Sequence, residues 1–326
     1  MKRGLSIKKV IENKSFTLVI VLVAIVIVFQ IINKNYLSVD NLRNILTSAS
    51  LVGMLSVGIA CLLISGQIDL STGYVGTFGG ILIAVLIRAG MPWVPALLVT
   101  VGVGAVIGLI NALFVNVLGF MSFISTLALG MAINGYGQVL CNGQNQTVSD
   151  MAFWELGSAT LFNIFPVSFL IMIALFLIYG VILFATRFGR RTYMVGGNAN
   201  AARLAGINPK GITTLLYVNN GCIACLAGAI ITARMHMSVP NGLINTDFEA
   251  ITAAVLGGVS FLGGGGNMVG VFIGLILLSG FKNGLMVVGL QSHHQIMATG
   301  LLLIAALALD FFREKSRQKA LKASEA

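Results

Sequence analysis

Apolar runs of a length suited to crossing a bilayer, about twenty residues each, succeed one another along almost the whole chain, with short polar joints between them. They fall at 15–33, 43–65, 69–88, 94–118, 120–140, 166–186, 212–232, 248–262, 267–288 and 293–311, which gives ten spans. Two of them are interrupted. The 69–88 span has a broken start, and 248–262 is short and cut by glycine, so both are expected to be re-entrant or unwound. Non-helical backbone survives at membrane depth only when protein or a wet cavity surrounds it, which makes such breaks pointers to a pathway. The two interrupted stretches, SGQIDLSTGYVGTFGGIL (65–82) and LGGVSFLGGGGNMVGVFIGLIL (256–277), resemble each other. Their opposite entry directions hint at an inverted repeat, the alternative being that glycine-rich membrane text resembles itself easily.

Composition agrees with this pattern. Of 326 residues, 57% are hydrophobic and only 9% charged, where a soluble domain carries about a quarter charged. The fold class is an all-α polytopic membrane protein. A net charge of +10 does not point to nucleic acid, because most of the basic residues gather in three clusters. These are Lys2, Arg3, Lys8, Lys9 and Lys14; Arg187, Arg190, Arg191, Arg203 and Lys210; and Arg313, Lys315, Arg317, Lys319 and Lys322. Ten spans put all three clusters on one side, which the positive-inside rule makes cytoplasmic, together with both termini. The long loop Cys141–Ser168 has no Lys or Arg and is expected outside. The first apolar run lacks a small-residue cleavage site after it and reads as a retained span. The whole chain, 1–326, reads as one transmembrane domain, with a cytoplasmic loop at 187–211 and a basic cytoplasmic tail at 312–326. Of the four cysteines, Cys222 and Cys225 have CxxC spacing but lie in an apolar helix with no second pair or His nearby, so metal or redox use is not expected.

Within the central loop, Asn198 is placed to cap a short helix, ANAARLA supplies helix formers, and Gly206 stands where a C-terminal cap glycine belongs. Pro209 then opens the next helix. A short capped helix between two spans is shaped to dock into a soluble partner. No P-loop, HExxH or GxSxG is present, so no catalytic constellation is visible. Asp69, with Ser71 beside it, either caps the next helix at the cytoplasmic interface or faces a solute conduit. Lys282 either snorkels outward or pairs with Asp247 or Glu249. Asn111, Asn116, Asn134, Gln138 and Asn283 are uncharged polar residues within spans, suited either to a hydroxylated solute or to joining helices.

NLRNIL (41–46), SVGIACLLISGQIDLSTG (56–73), GRRTYMVGGNANAARLAGIN (189–208) and FEAITAAVLGGVSFLGGGGNMVGVFIG (248–274) together resemble the permease subunits of ribose-type ABC importers, over nearly the whole chain. Gln67 and Thr72 depart from that family's usual glycine and valine, and Gly263–Gly266 with Asn267 stand where it commonly has a basic or small residue. The resemblance implies a type II ABC importer-like arrangement in the bacterial inner membrane. It implies a homo- or heterodimer, separate ABC ATPases, and an extracellular or periplasmic sugar-binding protein. The chain itself would bind no cofactor, with ATP and magnesium held by the ATPase. Coupling to the ATPase would fall to Arg190, Arg191, Gly197, Asn198, Ala201, Ala202, Arg203 and Gly206. The expected translocation pathway comprises Asp69, Ser71, Asn111, Asn134, Gln138 and Asn283. The competing reading, an ion-coupled secondary sugar transporter, would use Asp69 as an ion site, but no paired carboxylates accompany it.

Overall fold

The computed structural model describes residues 14–325; the basic residues Lys2 to Lys9 lie outside the described residues, as do the side chains of the C-terminal cluster. Among the described residues, six helices are long and apolar enough to cross a membrane: α2 (Val39–Ile64), α4 (Trp93–Ala112, continued by a π-helical turn Leu113–Val117), α5 (Ser122–Cys141), α7 (Val167–Ala185), α10 (Pro209–Met235) and α12 (Met268–Val287). Shorter apolar helices occupy α1 (Lys14–Ile32), α3 (Thr72–Arg88) and the first half of α13 (Ser292–Glu325). The segment 248–262 is a single helix only over α11 (Thr246–Leu256). Eleven residues rise about 16 Å, roughly half of a hydrocarbon core of about 30 Å, so α11 alone does not cross. Helix α13 runs unbroken into the basic tail.

Three loop elements go beyond the pattern of spans. Asp150 caps a short helix, α6 (Met151–Ser158), by accepting from the Phe153 amide at 3.1 Å. Gln146–Thr147 (β1) pairs antiparallel with Met237–Ser238 (β4), and Thr160–Leu161 (β2) with Phe165–Pro166 (β3). The β1–β4 pair ties the charge-poor loop to the end of α10.

Helix α2 forms the centre, buried at every position from Ala49 to Ile64. Around it pack α7, α10, α11 and α12, while α3 and α4 lie against α10. Lipid gives helices no hydrophobic reason to associate, so small residues must let backbones approach. On α10 they do: a Cβ at Gly221 would stand 2.1 Å from the Gly104 carbonyl oxygen of α4, and one at Gly228 only 1.8 Å from that of Gly76 on α3.

The expected inverted relation of the two breaks is corrected. Asn41 meets Asn283 while Gly53 faces Leu275, so α2 runs antiparallel to α12. Gly257 faces Gly270 and Gly274 faces Ala253, so α11 also runs antiparallel to α12. Helices α2 and α11 therefore descend in the same direction. Their breaks meet, with the Gly264 amide donating to the Ile64 carbonyl at 2.8 Å. Glycine-rich text looks alike in either direction; only packing distinguishes the two.

Candidate functional site

Between α2 and α3 the chain is non-helical from Gln67 to Ser71, and every break of this kind must find partners for its polar groups. Here α10, α4 and α5 supply them. Asp69, 2% exposed, accepts through one carboxylate oxygen from the Ser71 amide at 2.8 Å and the Ser71 hydroxyl at 2.5 Å. The other oxygen accepts from Asn220 of α10 at 2.9 Å. The same Asn220 amide donates to Thr72 Oγ1 at 2.8 Å, and Asn111 of α4 donates to Ser71 Oγ at 2.8 Å. The Leu70 amide donates to Thr126 Oγ1 of α5, and the Tyr217 hydroxyl donates to the Ile68 carbonyl at 3.2 Å. Asn220 lies eleven residues into α10, about 16 Å from its start. Asp69 is thus held deep along that helix instead of at a helix end.

That placement corrects the capping reading. Ser71 occupies the N-cap position of α3, yet its side chain makes no capping bond; its hydroxyl is committed to Asp69. Asp69 takes one backbone amide, and its remaining partners are side chains. The carboxylate is a cross-link between the break and α10.

The other pathway expectations divide. Asn111 belongs to the Asp69 network. Asn134 is buried on α5, on the face where Gly130 packs against Ser71 and Gly137 against Phe78, and its carbonyl oxygen has no partner. Gln138 is half-buried further along α5. Asn283 stands apart, in a reciprocal amide pair with Asn41 at 2.8 and 3.0 Å. Such a closed pair joins two helices and offers a solute little, which corrects its placement in the pathway. Asn116 joins α4 to α10 by donating to Thr214 and accepting from Thr213. Lys282 pairs with Glu249 at 2.5 Å, fastening α12 to the first turn of α11. Asn220 is the residue that sequence reasoning missed. Its signal was present, two adjacent asparagines at 219 and 220 in an apolar 27-residue helix.

The second site is the loop after α7. Thr186 caps α8 (Arg187–Gly197), and Asn198 caps α9 (Ala199–Leu204) by accepting from the amides of Asn200 and Ala201 at 3.0 Å. Gly206 follows at φ +77°, the left-handed position that ends a helix, with nothing near a would-be Cβ. Backbone conformation, not space, requires glycine there. Asn208 then caps α10, with Pro209 in its first turn. Ala201, Arg203 and Leu204 are exposed, Leu204 to 88%. Ala202 is 2% exposed and packs into the core. The expectation that Ala202 meets a partner is therefore corrected, because on so short a helix it faces inward while Ala201 and Leu204 face out. A cleft of about 490 Å³ beside α9 is bordered by Ala199, Asn200, Arg203, Gly206 and Lys210, among others.

Gly196 joins the two sites. A Cβ there would stand 1.8 Å from the Ile64 carbonyl oxygen and 2.7 Å from the Gly264 amide nitrogen. Nearby, Tyr193 donates to the Gly266 carbonyl at 2.8 Å. Burial raises its phenol above the ordinary tyrosine range, so it remains a donor at neutral pH. The end of α8, the end of α2 and the glycine loop before α12 thus form one backbone junction, three residues before α9 begins. Gly197, expected at the coupling surface, is exposed, and a Cβ there would meet nothing, while its backbone lies beside Gly264. Arg190 and Arg191 are also exposed, with Arg190 donating to the Ala185 carbonyl at 3.3 Å.

Residues 41–307 match the family described as the permease component of the branched-chain amino acid transport system. The chain belongs to that permease family. It is 34% identical to the ribose import permease protein of Bacillus subtilis, over 90% of each chain. It is 32% identical to the ribose import permease protein of Haemophilus influenzae, over 92% of this chain and 93% of the relative. Similarity to the L-arabinose ABC transporter permease protein of Azospirillum brasilense is 28% over 87% and 84%. No solved structure matches.

Proposed function

We propose that this chain is the membrane-spanning subunit of an ATP-driven importer for a sugar or sugar-like solute, as its similarity to ribose and L-arabinose permeases suggests. The observation that carries the reading is the exposed, doubly capped helix α9, rigidly joined through Gly196 to the break that holds Asp69. A separate ABC ATPase, carrying ATP and magnesium, receives α9 with Leu204 as the apolar anchor and Arg203 at the rim. Exposed apolar side chains ringed by polar ones are the usual centre of an interface. On this reading the chain makes ten passages of a bacterial inner membrane, the eighth completed by the glycine loop after α11, and the central loop and both termini lie in the cytoplasm. Two such subunits, the same or different, form the conduit, and an extracellular or periplasmic binding protein delivers the solute. Of the polar residues, Asn134 and Gln138 on α5 are left to meet the solute. Asp69, Ser71 and Asn111 shape the break behind them.

Uptake into vesicles containing the assembled transporter tests this directly. ATP without any ion gradient should drive sugar accumulation. Accumulation that follows a proton or sodium gradient and ignores ATP would instead establish the ion-coupled reading. Cysteines at Asn200 and Ser149 test the orientation: an impermeant maleimide should label only Ser149→Cys in intact cells.

A further inference from the structure

Three basic residues of the central loop border two different cavities. Arg203 and Lys210 border the cleft beside α9. Arg190 instead borders a small pocket, of about 360 Å³, where Tyr193 and Asn267 are the other polar side chains. That pocket shares Gly180, Phe184, Asn267 and Met268 with a larger groove of about 710 Å³ between α7 and α12. The groove walls are apolar from Ile173 to Ala185, a rise of about 18 Å along α7. One leaflet of a hydrocarbon core is about 15 Å deep. An apolar channel as deep as one leaflet thus ends at a guanidinium, and neither cavity has an Asp or Glu in its lining.

We propose that the α7–α12 groove holds an acyl chain of an anionic phospholipid whose phosphate is bound by Arg190. The guanidinium's planar set of donors suits a phosphate, and basic pockets between membrane helices are recurrent headgroup sites. One N–H of Arg190 is engaged by the Ala185 carbonyl, which anchors the side chain at the end of α7. Tyr193 spends its proton on Gly266, so the headgroup rests on Arg190. The lipid would lie against α8 and the loop before α12, the two partners of the Gly196 junction. The site requires only that the chain is membrane-embedded and is independent of what it transports.

The test is lipid retention by the purified full-length chain, measured by native mass spectrometry after exchange into bilayers of mixed phosphatidylcholine and phosphatidylglycerol. The wild type should retain phosphatidylglycerol over phosphatidylcholine. Arg190→Gln should lose about fivefold of that preference, while Arg191→Gln keeps it. Gly180→Leu should expel the lipid by filling the groove. Its Cβ would meet only Met268, at 3.8 Å, so the fold should survive, as a melting curve would verify. Added inorganic phosphate should not displace the lipid. Equal retention by Arg190→Gln and Arg191→Gln would overturn the proposal. So would efficient cross-linking of Val181→Cys between two copies in the bilayer, which would make the groove a subunit interface. Neither readout involves ATP or solute, so a failed transport assay and a failed lipid assay are distinguishable.

Discussion

Asn220 and Asp69, 151 residues apart in the chain, are joined by a 2.9 Å hydrogen bond between the middle of α10 and the unwound segment preceding α3. An acid this deep is costly unless its oxygens are satisfied. Ser71 and Asn220 satisfy them, and in return the carboxylate fixes where the break lies against α10.

Asp69→Ala should therefore leave the Ser71 amide and the Asn220 amide short of an acceptor, at a cost of about 1–3 kcal/mol. Asp69→Asn keeps one acceptor for the Ser71 donors but turns its NH₂ toward Asn220, which must rotate its unpartnered carbonyl oxygen inward and give up its donation to Thr72, so part of the cross-link should be lost. The exchange Asp69→Asn with Asn220→Asp restores one donor facing one acceptor and should recover stability beyond either single variant. Melting curves for the four proteins decide it; strictly additive losses would mean that the pair is not coupled.

At the backbone junction, Gly196→Ala sets a methyl group 1.8 Å from the Ile64 carbonyl oxygen, and neither side of that contact is a flexible side chain. The variant should lose sugar uptake per ATP hydrolysed, with the Ile64–Gly264 bond broken. Gly197→Ala, whose new methyl meets nothing, should behave as wild type. Equal effects at both positions would remove Gly196 from the link.

On α9 the expected outcomes separate docking from folding. Leu204→Ser and Ala201→Asp should weaken ATPase association and leave the amount of folded permease unchanged, since both side chains are exposed. Ala202→Trp should instead lower the melting temperature, because Ala202 lies in the core. Gly206→Val should harm both, since a β-branched residue resists its left-handed conformation. Co-purification of the ATPase, read beside a melting curve, distinguishes the three.

Lys282 and Glu249 are each about a quarter exposed, so their ion pair is only partly screened by water. Lys282→Met should cost about 1.5–3 kcal/mol and free the first turn of α11 from α12. Adding Glu249→Gln should recover part of that loss by removing the stranded charge. Thermal stability in detergent at low and high salt reads both effects. A variant as stable as wild type at both salt levels would show that other contacts hold α11.

The amino-acid sequence by itself determined where the apolar spans lie, which two are interrupted, and which loop carries a capped helix. Those features depend on neighbours within a few residues: runs of apolar side chains, Asn198 three positions before Ala201, Gly206 past the last helical turn. The permease family was legible for the same reason, because its motifs are contiguous. Tertiary structure alone decided what the breaks are for. Whether Asp69 caps a helix or ties one to another depends on Asn220, which approaches only because Gly221 and Gly228 let α10 pack close to α4 and α3. Whether Ala202 or Leu204 meets a partner depends on which side of a six-residue helix faces the core, and six residues contain too little periodicity to tell. Gly196 and Gly197 are indistinguishable as letters. One is pressed against the Ile64 carbonyl and the other is open, because α2 and the glycine loop before α12 converge on the first and leave the second at the surface.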